Sequence, residues 1–167
     1  MSKTRIAAAV GAGVLALATP LVMHFEGKRS QVYRDPINIP TVCYGHTGKD
    51  VRMGQSARSD AECGELLNED LAKALAEVDR CAPGLPEAPR AAFTSFAFNV
   101  GGEKFCRSTL ARKAAAGDLP GACAELSRWT FADGRELPGL VRRRAAERAL
   151  CEEDFSLLEK LIRFIHS

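Results

Sequence analysis

No cysteine occurs before position 43, and no two cysteines stand at the Cys-x-x-Cys spacing that structural zinc sites use. The three histidines form no cluster with Cys or Asp at ligand spacing, so neither a metal nor another cofactor is expected. Excess charge of one sign is also lacking. Lys and Arg total 23 against 21 Asp and Glu, a balance that gives no electrostatic footprint for nucleic acid. Internal repeats and low-complexity tracts are absent. At 167 residues the chain can hold one domain with a real core, and it is too short for two full-sized ones.

Six cysteines are present: Cys43, Cys63, Cys81, Cys106, Cys123 and Cys151. An even set in a small exported chain reads as three disulfides, whereas a cytosolic protein more often keeps such residues as core thiols. The choice therefore turns on the N-terminus.

The segment "MSKTRIAAAVGAGVLALATPLVMHFEG" opens with Lys3 and Arg5 and then runs from Ile6 to Met23 without a charge. Eighteen helical residues rise roughly 27 Å, close to the thickness of a bilayer's hydrocarbon layer. Eight of the eighteen are Ala or Gly, so transfer into lipid is only weakly favourable. The positive flank points to an N-terminus inside and an exported remainder, and Lys28, Arg29 and Arg34 on the far side weaken that bias. Three readings are open: a signal peptide cleaved after Ala16–Ala18, an ordinary buried core helix, and an uncleaved, weakly held anchor. Cleavage after Ala18 would leave the helix that delivers Glu26 very short.

From Gln31 the pattern changes. "QVYRD" and "TVCYGH" are β-like runs on either side of the turn "PINIP", which predicts a small hairpin. Ser59, with Glu62 three residues on, is an N-cap signal. Leu66, Leu67, Leu71, Ala74, Leu75 and Val78 then recur at helical spacing and predict a long helix over 59–81. "PGLPEAP" breaks the chain. Further helices are expected at about 87–99, 107–116, 119–128 and 138–151, with a last amphipathic one in "EEDFSLLEKLIRFIHS". The expected fold is α+β: a small β lobe over 25–58, a connecting helix over 59–81 and a helical lobe over 82–167, preceded by the apolar segment 1–24.

Glu26, Asp35 and Thr41 stand at the junction of the first helix and the hairpin. A glycosidase needs one protonated carboxyl group to protonate the leaving oxygen and a second, ionised one to activate water or attack the sugar. A Glu at a helix end and an Asp on the adjacent hairpin suit those roles, with the Thr41 hydroxyl holding the water. The spacing alone also fits a surface carboxylate and a turn residue before Pro36.

The stretch "FEGKRSQVYRDPINIPTVCYGHTG" resembles the active-site segment of phage-type lysozymes, the T4-lysozyme-like endolysins. The resemblance continues through "FTSFAFNVGG", "STLARKAAAGD" and "RWTFADGRELPGLVRRRAAERALC", over roughly residues 20–152. It implies a lysozyme-like fold and a muramidase that cuts the β-1,4 link between N-acetylmuramic acid and N-acetylglucosamine with inversion. Glu26, Asp35 and Thr41 would be its catalytic set. It also implies that Arg143, within the run Arg142–Arg144, pairs with Glu26. His46 is a candidate to line the cleft or to be structural, and Trp129 is expected to anchor the helical lobe. The Gly/Ala-rich leader resembles that of the signal-anchor-release endolysins. This implies partners in the host secretion translocon, the host inner membrane through residues 6–23 and peptidoglycan, and movement from the inner membrane to the periplasm, with the protein a monomer. A non-enzymatic peptidoglycan-binding protein and a lytic transglycosylase remain alternatives.

The expected pairing of cysteines follows their placement. Cys43 on the hairpin is expected to pair with Cys63 at the start of the connecting helix, Cys123 with Cys151 on two helices that could pack antiparallel, and Cys81 with Cys106, which flank the unit between "PGLPEAP" and "FNVGG".

Overall fold

Val14, Ala18 and Val22 recur every four positions, which places them on one side of a helix. In the computed structural model, which describes the backbone of residues 3–165 and the side chains of 11–153, they lie on α1 (Lys3–Glu26) and are fully buried. Two buried valines contribute about 1.5–3 kcal/mol each, enough to hold α1 against the rest of the chain. Pro20 sits on its exposed side, and the helix continues past it. The helix runs without a break from Lys3 to Glu26. Residues 6–10 of the apolar run lie outside the described side chains, and among the described residues no helix is long and apolar enough to cross a membrane.

α1 stops at Glu26 because Gly27 takes a left-handed φ of 67° and donates its N–H to the Met23 carbonyl (3.3 Å). β1 (Arg29–Arg34) and β2 (Pro40–Cys43) follow as an antiparallel hairpin, with Tyr33 opposite Thr41 and an irregularity between Arg29 and Tyr33. The chain then enters α2 (Asp60–Cys81) through a complete capping box. The Ser59 hydroxyl accepts from the Glu62 N–H, and the Glu62 carboxylate accepts from the Ser59 N–H (2.7 Å).

The helical lobe contains α3 (Glu87–Val100), α4 (Gly102–Arg107), α5 (Thr109–Ala115), α6 (Leu119–Glu125) and α7 (Pro138–Ile165). The structure differs from the expected elements in three places. The helix expected at 107–116 is α5, which starts after Ser108, whose hydroxyl caps the Ala111 N–H, and a short helix that was not expected, α4, precedes it. Phe131–Ala132 (β3) and Arg135–Glu136 (β4) form a second hairpin around Asp133-Gly134, the dipeptide that favours two-residue turns. The last two expected helices are one, because nothing between Cys151 and Asp154 interrupts the backbone.

α3 is the hub of the core. Its Phe93 and Phe96 are fully buried with Phe105, Leu110 and Leu126 of the helical lobe, while Ala91 faces α1 and Leu67 and Leu71 of α2. Trp129 packs edge-on against Phe96 at 5.1 Å between ring centroids. Disulfides join Cys43 to Cys63, Cys81 to Cys106 and Cys123 to Cys151.

Candidate active site

The site is built where α1 ends, because the left-handed Gly27 turns the chain directly from Glu26 into β1. The Glu26 side chain is about one-fifth exposed, and its Oε1 accepts from Arg143 Nη1 at 2.5 Å. Its other oxygen faces Gly45, where a Cβ would stand 3.7 Å away. Gly45 also has a left-handed φ of 87°, so a side chain there would be strained as well as close. Beyond Gly45 an open groove of about 310 Å³ runs between the lobes, lined by Thr47, Asp70, Lys73, Phe98 and Gly101 among others.

Asp35 lies just past β1, at the hairpin turn. Its Oδ1 accepts from the Ile37 N–H (3.0 Å) and the Ile39 N–H (2.8 Å), which fixes the carboxylate by the turn's own backbone. Oδ2 has no hydrogen-bond partner among the described residues. Thr41, on the returning strand, is buried, and its hydroxyl donates to the Ile39 carbonyl (3.0 Å). Its lone pairs are left to accept from another donor. Asp35 and Thr41 thus both hydrogen-bond Ile39, through its N–H and its carbonyl respectively, whereas Glu26 bonds Arg143.

Arg143 is only 3% exposed, an unusual position for a guanidinium. Its Nε donates to Glu147 Oε1 (3.1 Å) and its Nη2 to the Ser95 carbonyl (3.4 Å). Glu147, fully buried one turn along α7, also accepts from the Ser95 hydroxyl (2.7 Å) and pairs with Arg144 (3.1 Å). Arg144 donates to Asn99 Oδ1 (2.6 Å) and stacks over Phe96. Burial pushes the Glu147 carboxyl up and the Arg144 guanidinium down to about 10, each effect opposed by their mutual attraction. Arg142 is exposed and takes no part in the cluster.

His46 is buried away from the Glu26 carboxylate. Its Nδ1 is 2.6 Å from Asp70 on α2 and its Nε2 is 3.3 Å from Asp50. It ties the loop after β2 to the connecting helix and, among the described residues, makes no hydrogen bond or ion pair with Glu26 or Asp35.

The phage lysozyme family model matches residues 23–147, which contain the helix end, the hairpin and the Arg143–Glu147 turn. The chain belongs to the phage lysozyme family. Phage lysozymes are glycoside hydrolases that act on peptidoglycan, and the α+β architecture with a hairpin lobe and a helical lobe is theirs. The SAR-endolysin of Bacteriophage PS119 is 40% identical over 156 residues, which cover 89% of this chain and 93% of the relative. The SAR-endolysin of Enterobacteria phage PA-2 is 41% identical over 153 residues, covering 87% and 92%. Among solved structures, the muramidase domain of SpmX from Asticaccaulis excentricus superposes with a TM-score of 0.73 at 31% identity, over 84% of this chain and 94% of that one.

The arginine run left open which guanidinium reaches the site, and the structure selects Arg143. Glu147 is signalled by its spacing, one turn beyond Arg143 and three residues beyond Arg144. Ser95, Asn99 and Asp70 carry no such signal, since the role of each exists only across a tertiary contact.

Proposed function

We propose that this phage lysozyme is an endolysin that hydrolyses the β-1,4 bond between N-acetylmuramic acid and N-acetylglucosamine. Glu26 acts as general acid, and Asp35 with Thr41 positions and deprotonates the attacking water. The observation that carries this reading is the setting of Glu26 at the end of α1, between Arg143 and the open groove beside Gly45. Protonated Glu26 gives its proton to the glycosidic oxygen as the bond breaks. A water that donates to Thr41 Oγ1 and to the unengaged Oδ2 of Asp35 attacks the anomeric carbon from the other face and passes its proton to Asp35. Attack from the face opposite the leaving group inverts the anomeric configuration.

The same proposal covers location. The relatives named SAR-endolysins, the positive N-terminal flank and the weak Gly/Ala hydrophobicity of residues 6–23 support export by the host translocon. The segment is then held in the inner membrane and later released to the periplasm. The burial of Val14, Ala18 and Val22 gives the released segment a protein surface to cover its apolar face. It also argues against cleavage after Ala18, which would remove two of those three contacts. Residues 1–42 contain no cysteine, so restraint by thiol exchange from the leader has no thiol to act through. In the membrane-held form the tethered helix keeps Glu26 from its place beside Arg143.

Clearing of outer-membrane-permeabilised cells by wild type and Glu26→Gln tests the chemistry. Wild type should clear the suspension and release glycan strands with reducing N-acetylmuramic acid ends, and Glu26→Gln should do neither. Clearing by Glu26→Gln, or products that end in anhydro-muramic acid, would refute the hydrolytic mechanism.

A further inference from the structure

The buried cluster behind Glu26 holds two guanidinium groups and two carboxylates: Arg143, Arg144, Glu147 and Glu26. Arg143 is held on two of its three sides, by Glu147 at Nε and by the Ser95 carbonyl at Nη2, so that only Nη1 is aimed at Glu26. Glu147 in turn receives the Ser95 hydroxyl and Arg143 on one oxygen and faces Arg144 with the other. Oε2 lies 3.1 Å from Arg144 Nε as an ion pair without an aligned hydrogen bond, and the two guanidinium groups against the carboxylate favour its ionised form against the opposing effect of burial. Among the described residues, charged groups reach the cluster from α1, as Glu26, and from α7, as Arg143, Arg144 and Glu147. α3 contributes the neutral Ser95 and Asn99, and the β lobe brings Gly45 beside Glu26 and carries the second site carboxylate, Asp35.

The cluster is neutral only while Glu26 is ionised. A general acid must nevertheless carry a proton at the start of the reaction. With Glu147 in place, protonating Glu26 leaves one uncompensated positive charge, and without Glu147 it leaves two. Each buried cation that faces Glu26 without a counter-charge favours the ionised carboxylate and opposes uptake of the proton. Coulomb attraction in this partly dry setting is strong enough for one charge to move a proton equilibrium by a factor of ten or more.

We propose that Glu147, fixed by Ser95, is a positioning residue for the general acid. It clamps Arg143 so that a single N–H points at Glu26, and it neutralises Arg144 so that Glu26 can hold the proton it donates. The argument rests on Glu26 being the proton donor. Glu147 itself touches no substrate, since it is fully buried and lies behind Arg143. Arg144 is the counterpart: its charge works against proton uptake by Glu26, and Glu147 cancels it.

The test follows the Glu26 carboxyl carbon by ¹³C NMR titration of the full chain. The signal is assigned by its loss in Glu26→Gln, and the pH–activity profile is measured on soluble peptidoglycan strands alongside. Glu147→Gln should raise the acid dissociation constant of Glu26 on the order of tenfold and move the alkaline limb of activity to lower pH. Arg144→Gln should move both in the opposite direction, and the double variant Arg144→Gln/Glu147→Gln should return close to wild type. A merely structural role for Glu147 would lower the unfolding temperature of these variants without this change of sign. If Glu147→Gln shows no cooperative unfolding, Arg144→Gln decides alone. A Glu26 titration that is unmoved, or moved to lower pH, in Arg144→Gln overturns the proposal, as does an unmoved titration in folded Glu147→Gln. If the carboxyl titrations shift as expected while the alkaline limb stays in place, the role of Glu147 stands and the assignment of Glu26 as proton donor falls.

Discussion

Nη1 of Arg143 meets Oε1 of Glu26 across 117 positions of sequence, joining the end of the first helix to the second turn of the last. This contact fixes where the α1 end sits relative to the helical lobe. Removing Arg143 would leave Glu147 and Glu26 facing each other's charge with only Arg144 to share. Breaking a buried pair in this way costs about 3–5 kcal/mol. Arg143→Ala is therefore expected to lower stability by that order in urea unfolding and to reduce muramidase activity. Arg143→Lys should recover part of the stability and less of the activity, because a single ammonium cannot hold the three-way geometry.

His46 couples the lobes without touching the candidate acid. Its ring nitrogens face Asp70 and Asp50, and Asp70 is further held by Lys73 at 2.8 Å. His46→Ala leaves the partly buried Asp70 with one partner fewer, at a cost of about 1–3 kcal/mol. Thermal unfolding should register that loss. Activity below the unfolding transition should fall far less than in Glu26→Gln.

Acid should loosen the fold through carboxylates held below their ordinary range. Glu62 is depressed by the Ser59 N–H and hydroxyl, Glu125 by Lys113, and Asp50 by its own backbone N–H and then by His46. A depressed carboxylate contributes stability above its unfolded value, here 4.5 for Glu and 3.8 for Asp, and that contribution disappears as pH falls through the folded value. Glu147, pushed up by burial, works in the opposite sense. The unfolding temperature is expected to fall as pH drops below about 4.5. In Glu62→Gln it should start lower and fall less steeply, which isolates the capping box from the rest.

The two glycines of the leader separate retention from docking. A Cβ at Gly11 meets nothing, whereas one at Gly13 runs into the Glu87 carboxylate at the start of α3. Gly11→Leu should therefore raise membrane retention and delay lysis while leaving the unfolding temperature of the released protein unchanged. Gly13→Leu should delay lysis and also lower that temperature, since Glu87 must give way. Dithiothreitol should not activate the membrane-held form of either. Normal lysis timing in the combined Gly11→Leu/Gly13→Leu protein would contradict the topological restraint.

One disulfide should open before the others. Both cysteines of Cys81–Cys106 are partly exposed, whereas all four of the remaining pairs' cysteines are buried. Arg80 lies 3.3 Å from Cys106 Sγ, but the Glu77 carboxylate, 3.7 Å from the same sulfur, opposes its effect on a leaving thiolate, so exposure decides the order. Mild reduction followed by alkylation and peptide mapping should label Cys81 and Cys106 first.

Local signals in the sequence accounted for most of the elements. The Ser59 cap and the apolar period of α2 specify a helix from within a few turns, and the "PINIP" turn specifies the first hairpin, because both depend on neighbours in the chain. The β3–β4 hairpin was legible in Asp133-Gly134, yet its strands are two residues each, too short to show an alternating pattern. α4 was hidden because its six residues are too few to show a helical period.

What the sequence by itself determined is the fold class, the succession of first helix, hairpin and long connecting helix, and the placing of Glu26, Asp35 and Thr41 around one helix end and one hairpin, all within sixteen residues. The tertiary structure alone decided that two of three consecutive arginines, Arg143 and Arg144, turn inward and that Arg143 is the one that meets Glu26. A helix rotates about 100° per residue, and only the packing of α7 against α3 fixes which of those directions is the core. It also decided that Glu147 and Ser95 meet 52 positions apart and that His46 belongs to Asp70. Burial makes each of these polar groups depend on a particular partner, and no local pattern records which partner that is.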